Sequence, residues 1–365
     1  MSVISLSFLA SLLFTLLILR YNYLHKHLTS DFDLIGIQKF HTIPVPRVGG
    51  VAIILAVLLV LCINYYQSSE IGRFGLLLII SALPAFLMGL AEDLFKSVGV
   101  RIRLFATFFS AGLAGYLLDG WLNGIQIFGI DYLMMTYPFI AIGITCFAVG
   151  GVVNSFNIID GYNGLSAMVA VIILSGITYV AFQVGDHSIM VAALAMIGGL
   201  FGFLIWNYPR GSIFLGDGGA YLIGFWVAEL SVLLTVRHPE VSKWFPVLLC
   251  FYPIFETLFT VYRRIFIKKS NAGMPDACHL HQLIYMRLVK WVVGASDASF
   301  GWQRNALTSS YLWIFTIFSV IPAVLFWRYH ILLKFFTLLF SVAYIYIYVC
   351  IVRFKVPHWM IIRNR

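Results

Sequence analysis

Apolar residues fill this chain in blocks of about 20, long enough for a helix to cross a hydrocarbon core of about 30 Å, and short polar stretches separate the blocks. The pattern predicts eleven membrane spans, beginning near Ile4, Val48, Phe74, Leu104, Met135, Gly164, Ser188, Gly218, Trp244, Ser309 and Ile331. Only helices or closed barrels satisfy backbone groups in lipid, and these blocks are far too long for barrel strands. The expectation is an all-α integral membrane protein, a single polytopic domain over residues 1–365 with one long loop at 263–308.

Hydrophobic residues make up 61% of the chain and charged residues 11%, which excludes an ordinary soluble domain. The first block has no basic residue before it and no small-x-small cleavage site, so it is expected to stay as a span rather than leave as a signal peptide. Arg20 and Lys26 follow it, and on that cue the N-terminus lies outside and the C-terminus in the cytoplasm. The other basic residues agree: of the 24 Lys and Arg, only Arg73, Arg237, Lys243, Arg328 and Lys334 fall in outer loops. Because these residues follow sidedness and form no separate stripe, the net charge of +9 does not point to nucleic acid. The 5 Cys include no CxxC pair and mostly lie in expected spans, so neither a disulfide framework nor a thiol metal site is indicated.

The side expected to face the cytoplasm collects the polar chemistry. It holds "QKFHTIPVPRVGG" (38–50), "GLAEDLFKSVGVRIR" (89–103), "NSFNIIDGYNGL" (154–165), "WNYPRGSIFLGDGGAYLIG" (206–224) and "YRRIFIKKSNAGMPDACHLHQLIYMR" (262–287). Carboxylates near lipid are costly, and Glu92, Asp93, Asp160 and Asp217 come from three loops on this one side, which marks a convergent acidic site. Taken singly, most of these stretches have ordinary explanations. Glu92 and Lys96 suit an i,i+4 helix-end pair, and Gly-Asp-Gly-Gly is a common turn. Cys278, His279 and His281 are too crowded for the usual zinc spacing. Residues 154–165 are harder to dismiss: Asn154, Asn157 and Asp160 recur at i, i+3 and i+6 and so share a helix face, and Gly161 and Gly164 allow close backbone approach. Only Glu229 is expected as an acid deep within a span.

In this order the stretches resemble the polyprenyl-phosphate N-acetylhexosamine-1-phosphate transferase family, over roughly residues 1–350. That family includes the enzymes that start O-antigen, enterobacterial common antigen and wall teichoic acid, and the phospho-MurNAc-pentapeptide translocase. "NSFNIIDGYNGL" matches the family's Asn-x-x-Asn-x-x-Asp-Gly-x-x-Gly-Leu signature, and "FLGDGGAYLIG" its Phe-Leu-Gly-Asp-x-Gly element. "KFHTIPVPRVGG" is similar to the stretch before the second span in the teichoic-acid and O-antigen branches. Two departures stand out. The family usually has two adjacent Asp where this chain has Glu92 and Asp93, and His-x-His-His where it has His279, Leu280, His281 and Gln282. The second departure argues against the translocase branch.

The resemblance implies transfer of N-acetylhexosamine 1-phosphate from a UDP-sugar to undecaprenyl phosphate, releasing UMP, for surface glycans such as lipopolysaccharide O-antigen. It places this at the cytoplasmic face of the bacterial inner membrane. It also implies Mg²⁺, with Mn²⁺ as the substitute, on Asp217; such a cation takes one or two carboxylates plus phosphate oxygens and offsets the repulsion between substrates. Glu92 and Asp93 would bind or deprotonate the lipid phosphate. Lys39, His41, Arg47, His279 and His281 would bring positive charge and donors to phosphates, and Asn154, Asn157, Asp160, Gly161 and Asn163 would meet the nucleotide, Asp160 foremost. The rival class is a secondary transporter of a phosphorylated or nucleotide-linked solute, whose site belongs near the bilayer midplane between repeated, broken helices. A non-catalytic scaffold leaves the four acids without a reason. The sequence is compatible with a homodimer and does not choose the sugar; loop 263–308, with Trp291 and Trp302, is the candidate for that selection.

Overall fold

Of the 365 residues, the computed structural model describes 2–31, 44–267, 278–289 and 301–353. These are helical apart from turns and one two-residue ladder. The Ser2 hydroxyl accepts the Ser5 N–H and opens α1 (Val3–Arg20). A short α2 (Asn22–Thr29) leads to β1 (Ser30–Asp31), which pairs antiparallel with β2 (Val45–Pro46). Next come α3 (Gly49–Gln67), α4 (Ser69–Phe95), α5 (Val100–Leu118), α6 (Ile130–Thr136) and α7 (Pro138–Ile159). They are followed by α8 (Leu165–Val184), α9 (His187–Asn207) and α10 (Gly216–Arg237). Then α11 (Phe245–Leu249) precedes α12 (Phe251–Tyr262), which runs on as a π-helical turn, Arg263–Ile267. Finally α13 (Leu280–Leu283) continues as π-helix over Ile284–Val289, before α14 (Gly301–Leu325) and α15 (His330–Val352).

Among the described residues nine helices are long and apolar enough to cross a membrane: α1, α3, α4, α7, α8, α9, α10, α14 and α15. Each lies at an expected span. The two remaining expected spans are α5, which carries Arg101 and Arg103 in its first turn, and the stretch from Trp244. That stretch breaks at Cys250 for a local reason: Pro253 has no N–H for the Leu249 carbonyl, and its ring crowds that oxygen. Helix α14 begins at Gly301 rather than near Ser309, because its polar first turns are used in packing; the Asn305 side chain accepts the Asn163 N–H at 2.8 Å.

Helix α10 is apolar all round and buried along nearly its whole length, which requires neighbours on every side. Small residues let them approach. A Cβ at Gly50 of α3 would collide with Gly219, one at Gly89 of α4 would fall 2.7 Å from the Gly218 Cα, and one at Gly224 would fall 2.9 Å from the Val153 Cα of α7. Pro84 interrupts the hydrogen bonds of α4, and the Ser110 hydroxyl of α5 accepts the neighbouring Ala85 N–H at 3.0 Å. Glu229 of α10 and Glu256 of α12 are both fully buried. The apolar run around Glu256 hides it in the sequence, since its partners arrive from other segments.

Candidate active site

The end of α4 and the start of α10 meet through Asp93. Its side chain is 1% exposed, and its two oxygens accept the N–H groups of Asp217 and Gly218, each at 2.9 Å. A helix leaves its first N–H groups without internal partners and carries partial positive charge there, so a carboxylate from another helix caps α10. Gly216 makes the approach feasible. Its φ is +78°, and a Cβ there would meet the Arg47 carbonyl and lie 2.5 Å from Asp93 Oδ2.

Asp217 is thereby held with its own carboxylate partly open. Arg47 lies 3.4 Å from one Asp217 oxygen and 3.6 Å from Asp93 Oδ1, while Arg103 of α5 ion-pairs with the other Asp217 oxygen. Arg47 is aimed by its backbone: its N–H donates to Thr29 O at 2.8 Å, and Phe214 N–H donates to the neighbouring Pro46 O at 2.8 Å. Gly49 and Gly50 donate in turn to the carbonyls of Phe214 and Leu215, both at 3.0 Å. Two acids and two arginines from four separate segments thus share one end of the bundle. Glu92 takes a different direction. Consecutive helical residues point about 100° apart, as 3.6 residues per turn requires, and the Glu92 Oε2 accepts the Val98 N–H at 2.8 Å.

The 154–165 edge is only partly the continuous face its spacing suggests, because α7 ends at Ile159 and Asp160 already caps it. Asn154 donates back to Gly150 O at 2.7 Å within its own helix. Asn163 is engaged by the protein: its side-chain amide donates to Pro209 O at 3.0 Å, and its carbonyl accepts the Ser309 hydroxyl at 2.7 Å. Asp160 is the member that senses the acid cluster. Burial first, and then the negative charges of Asp217 and Asp93, push its carboxyl up to about 8, with Arg47 opposing.

The histidine motif joins the site at Gly161, where a Cβ would lie 3.3 Å from His281 Nε2. Burial pushes the His281 ring down to about 3, so it is neutral near pH 7. The expected positive charge there is corrected accordingly: a buried ring with no hydrogen-bond partner at Nδ1 among the described residues does not hold a proton against desolvation. His281 stacks on His279 with ring centroids 5.1 Å apart. His279 caps α13, its N–H donating to Gln282 Oε1 at 3.1 Å, which gives the residue that departs from the family pattern a structural task. Lys39 and His41 lie outside the described residues. The sequence reading does not mark Arg103, which pairs with Asp217, or Glu256, the buried partner of His279. "VRIR", shortly after the acidic pair, was a usable signal for the first.

Residues 74–235 match the model of the glycosyl transferase family 4. A Thermotoga maritima "undecaprenyl-phosphate alpha-N-acetylglucosaminyl 1-phosphate transferase" is 30% identical over 309 residues, covering 83% of this chain and 90% of the relative. This chain belongs to that family. A Bacillus subtilis "probable undecaprenyl-phosphate N-acetylglucosaminyl 1-phosphate transferase" is 27% identical over 78% of this chain and 80% of its own length. A Streptococcus pneumoniae "phospho-N-acetylmuramoyl-pentapeptide-transferase" is 30% identical over 58% of this chain and 64% of its own. The glycosyl transferase family 4 segment contains Asp93, Arg103, Asp160 and Asp217 and ends before Glu256 and the histidines. As a member, the chain is a membrane-embedded enzyme of group transfer. Among the described residues no three His, Cys, Asp or Glu side chains form a metal cage. A hard cation sharing one or two carboxylates with a diphosphate needs no such cage, and the partly open Asp217 carboxylate fits it.

Proposed function

We propose that this enzyme moves N-acetylhexosamine 1-phosphate from a UDP-sugar to undecaprenyl phosphate and releases UMP. The observation that carries the reading is the convergence of Asp93, Asp217, Arg47 and Arg103 from four segments at one bundle end, with Asp160 within electrostatic reach. A transporter would instead place its polar site near the midplane. The names of the relatives supply the acceptor class and make UDP-N-acetylglucosamine the first donor to test.

In the reaction, an oxygen of the lipid phosphate bonds to the phosphorus that carries the sugar. The bond from that phosphorus to the bridging oxygen breaks, and its electron pair leaves with UMP. Arg47 and Arg103 turn from Asp217 to the diphosphate, where charge-assisted bonds count most as charge shifts. Asp217 would hold Mg²⁺, which supplies charge relief on the phosphate oxygens. Asp93 aims Asp217 by capping α10. Asp160 offers the nucleotide a carboxyl for hydrogen bonding, and neutral His281 contributes hydrogen bonding. A phosphate monoester with a second pKa of about 6 is already largely ionised near neutral pH, so the acceptor needs orientation more than a base or a protein nucleophile, and attack is direct. The site faces the cytoplasm across the bacterial inner membrane, with the N-terminus outside. Purified protein with Mg²⁺, polyprenyl phosphate and UDP-GlcNAc, UDP-GalNAc or a UDP-FucNAc-type donor should release UMP from at least one; release from none overturns the reading.

A further inference from the structure

Glu256 has no part in the transfer chemistry above, yet its surroundings are built around it. It is fully buried, where an uncompensated carboxylate is costly. Its Oε1 lies 3.1 Å from His279 Nδ1 and accepts the Leu280 N–H at 3.1 Å, and its Oε2 accepts the Tyr344 hydroxyl at 2.8 Å. One acid of α12 therefore binds the start of α13 to α15 at the point where the histidine motif begins. Thr260 Oγ1 lies 3.2 Å from the same Nδ1, and the parallel ring of His281 stacks on the His279 ring.

A carboxylate facing a ring nitrogen selects the tautomer with hydrogen on that nitrogen, because two acceptors repel. We propose that Glu256 is a positioning residue: by taking the Nδ1–H of His279 it fixes that ring's tautomer and plane and leaves the Nε2 lone pair as an acceptor for a hydroxyl of the nucleotide sugar. This rests on His279 contacting the donor substrate in the transfer reaction. Tyr344 and Leu280 serve the same end, since they fix the carboxylate that fixes the ring.

The test uses purified full-length enzyme, UMP release and ¹⁵N NMR of histidine-labelled protein, with His279 assigned by its loss in His279→Ala. Wild-type His279 should show the Nδ1–H tautomer. Glu256→Leu should lower kcat by about 10- to 100-fold, the range for partners that orient a working histidine. His279→Ala should lose at least as much, and the double variant should match His279→Ala within about twofold, as residues acting through one another are non-additive. Glu256→Gln keeps an oxygen for His279 and Leu280 and turns its NH₂ to Tyr344, so it should retain the tautomer and most of the activity. Losses that multiply in the double variant, an Nε2–H tautomer in the wild type, or a harmless His279→Ala in active enzyme would each overturn the proposal. If Glu256→Leu fails to insert, the tautomer in wild type and in Glu256→Gln decides. Wild-type enzyme with no UMP release from any donor would refute the transfer reading instead.

Discussion

Asp93→Asn is the substitution that best separates a capping role from a freely reacting carboxylate. In the native site two N–H groups converge on one carboxylate, each at 2.9 Å, on a side chain 1% exposed. Hydrogen bonds to charged groups contribute about 1.5–3 kcal/mol each, and a neutral bond about 1. Asparagine can serve one amide with its oxygen but turns its NH₂ against the other. The net loss is about 2–5 kcal/mol, part of which is offset by easing the repulsion between Asp93 and Asp217. The start of α10 then moves, and Asp217 with it. A displacement of about 1 Å in a reacting site costs on the order of 100-fold in rate. The assay is paired: thermal unfolding of the detergent-purified protein by intrinsic Trp fluorescence, and steady-state UMP release. Both midpoint and kcat should fall, and the Mg²⁺ concentration giving half-maximal rate should rise because Asp217 is misplaced. An unchanged melting midpoint with kcat within about threefold of wild type would refute the capping argument, since that rate ratio corresponds to only about 0.7 kcal/mol.

Asp217→Asn should abolish turnover at every Mg²⁺ concentration while the protein still folds and inserts; near-normal activity across the titration would remove it as the metal residue. Asp160 carries a pH signature: its carboxyl is raised from 3.8 to about 8, so its contribution to stability is full below pH 3.8 and is lost as pH rises through 8. Melting midpoints from pH 5 to 9 should therefore decline in the wild type relative to Asp160→Asn, and parallel curves would show that the acid is not perturbed. In a background without native Cys, an impermeant thiol reagent applied from outside should label a Cys at Ser69 and not one at Ser270; the reverse would invert the topology. Lipid-free enzyme mixed with UDP-sugar, Mg²⁺ and labelled UMP should show no label in the UDP-sugar pool until polyprenyl phosphate is added. Lipid-independent exchange that vanishes in Asp93→Asn or Glu92→Gln would establish a covalent intermediate in place of direct attack.

Membrane spans were legible from the sequence because the bilayer measures a one-dimensional quantity, the length of an apolar run, and α3, α8, α9 and α10 begin within two residues of their expected starts. The acids Asp93, Asp160 and Asp217 stood out for a similar reason: charge at the end of an apolar run is costly enough to need a purpose. Partners were not legible. Asp93 caps a helix 124 residues further on only because Gly89 and Gly216 let α4 and the start of α10 nearly touch, and Arg103 reaches Asp217 through the same packing. Nor did sequence separate Glu92 from Asp93, since adjacent side chains diverge only once the helix is known. Glu256 and His279 are the clearest case, an acid in an apolar run and a histidine in a polar motif. Hydrogen bonds act over about 3 Å and pKa values depend on who else is buried nearby, and both are decided by how helices pack in three dimensions.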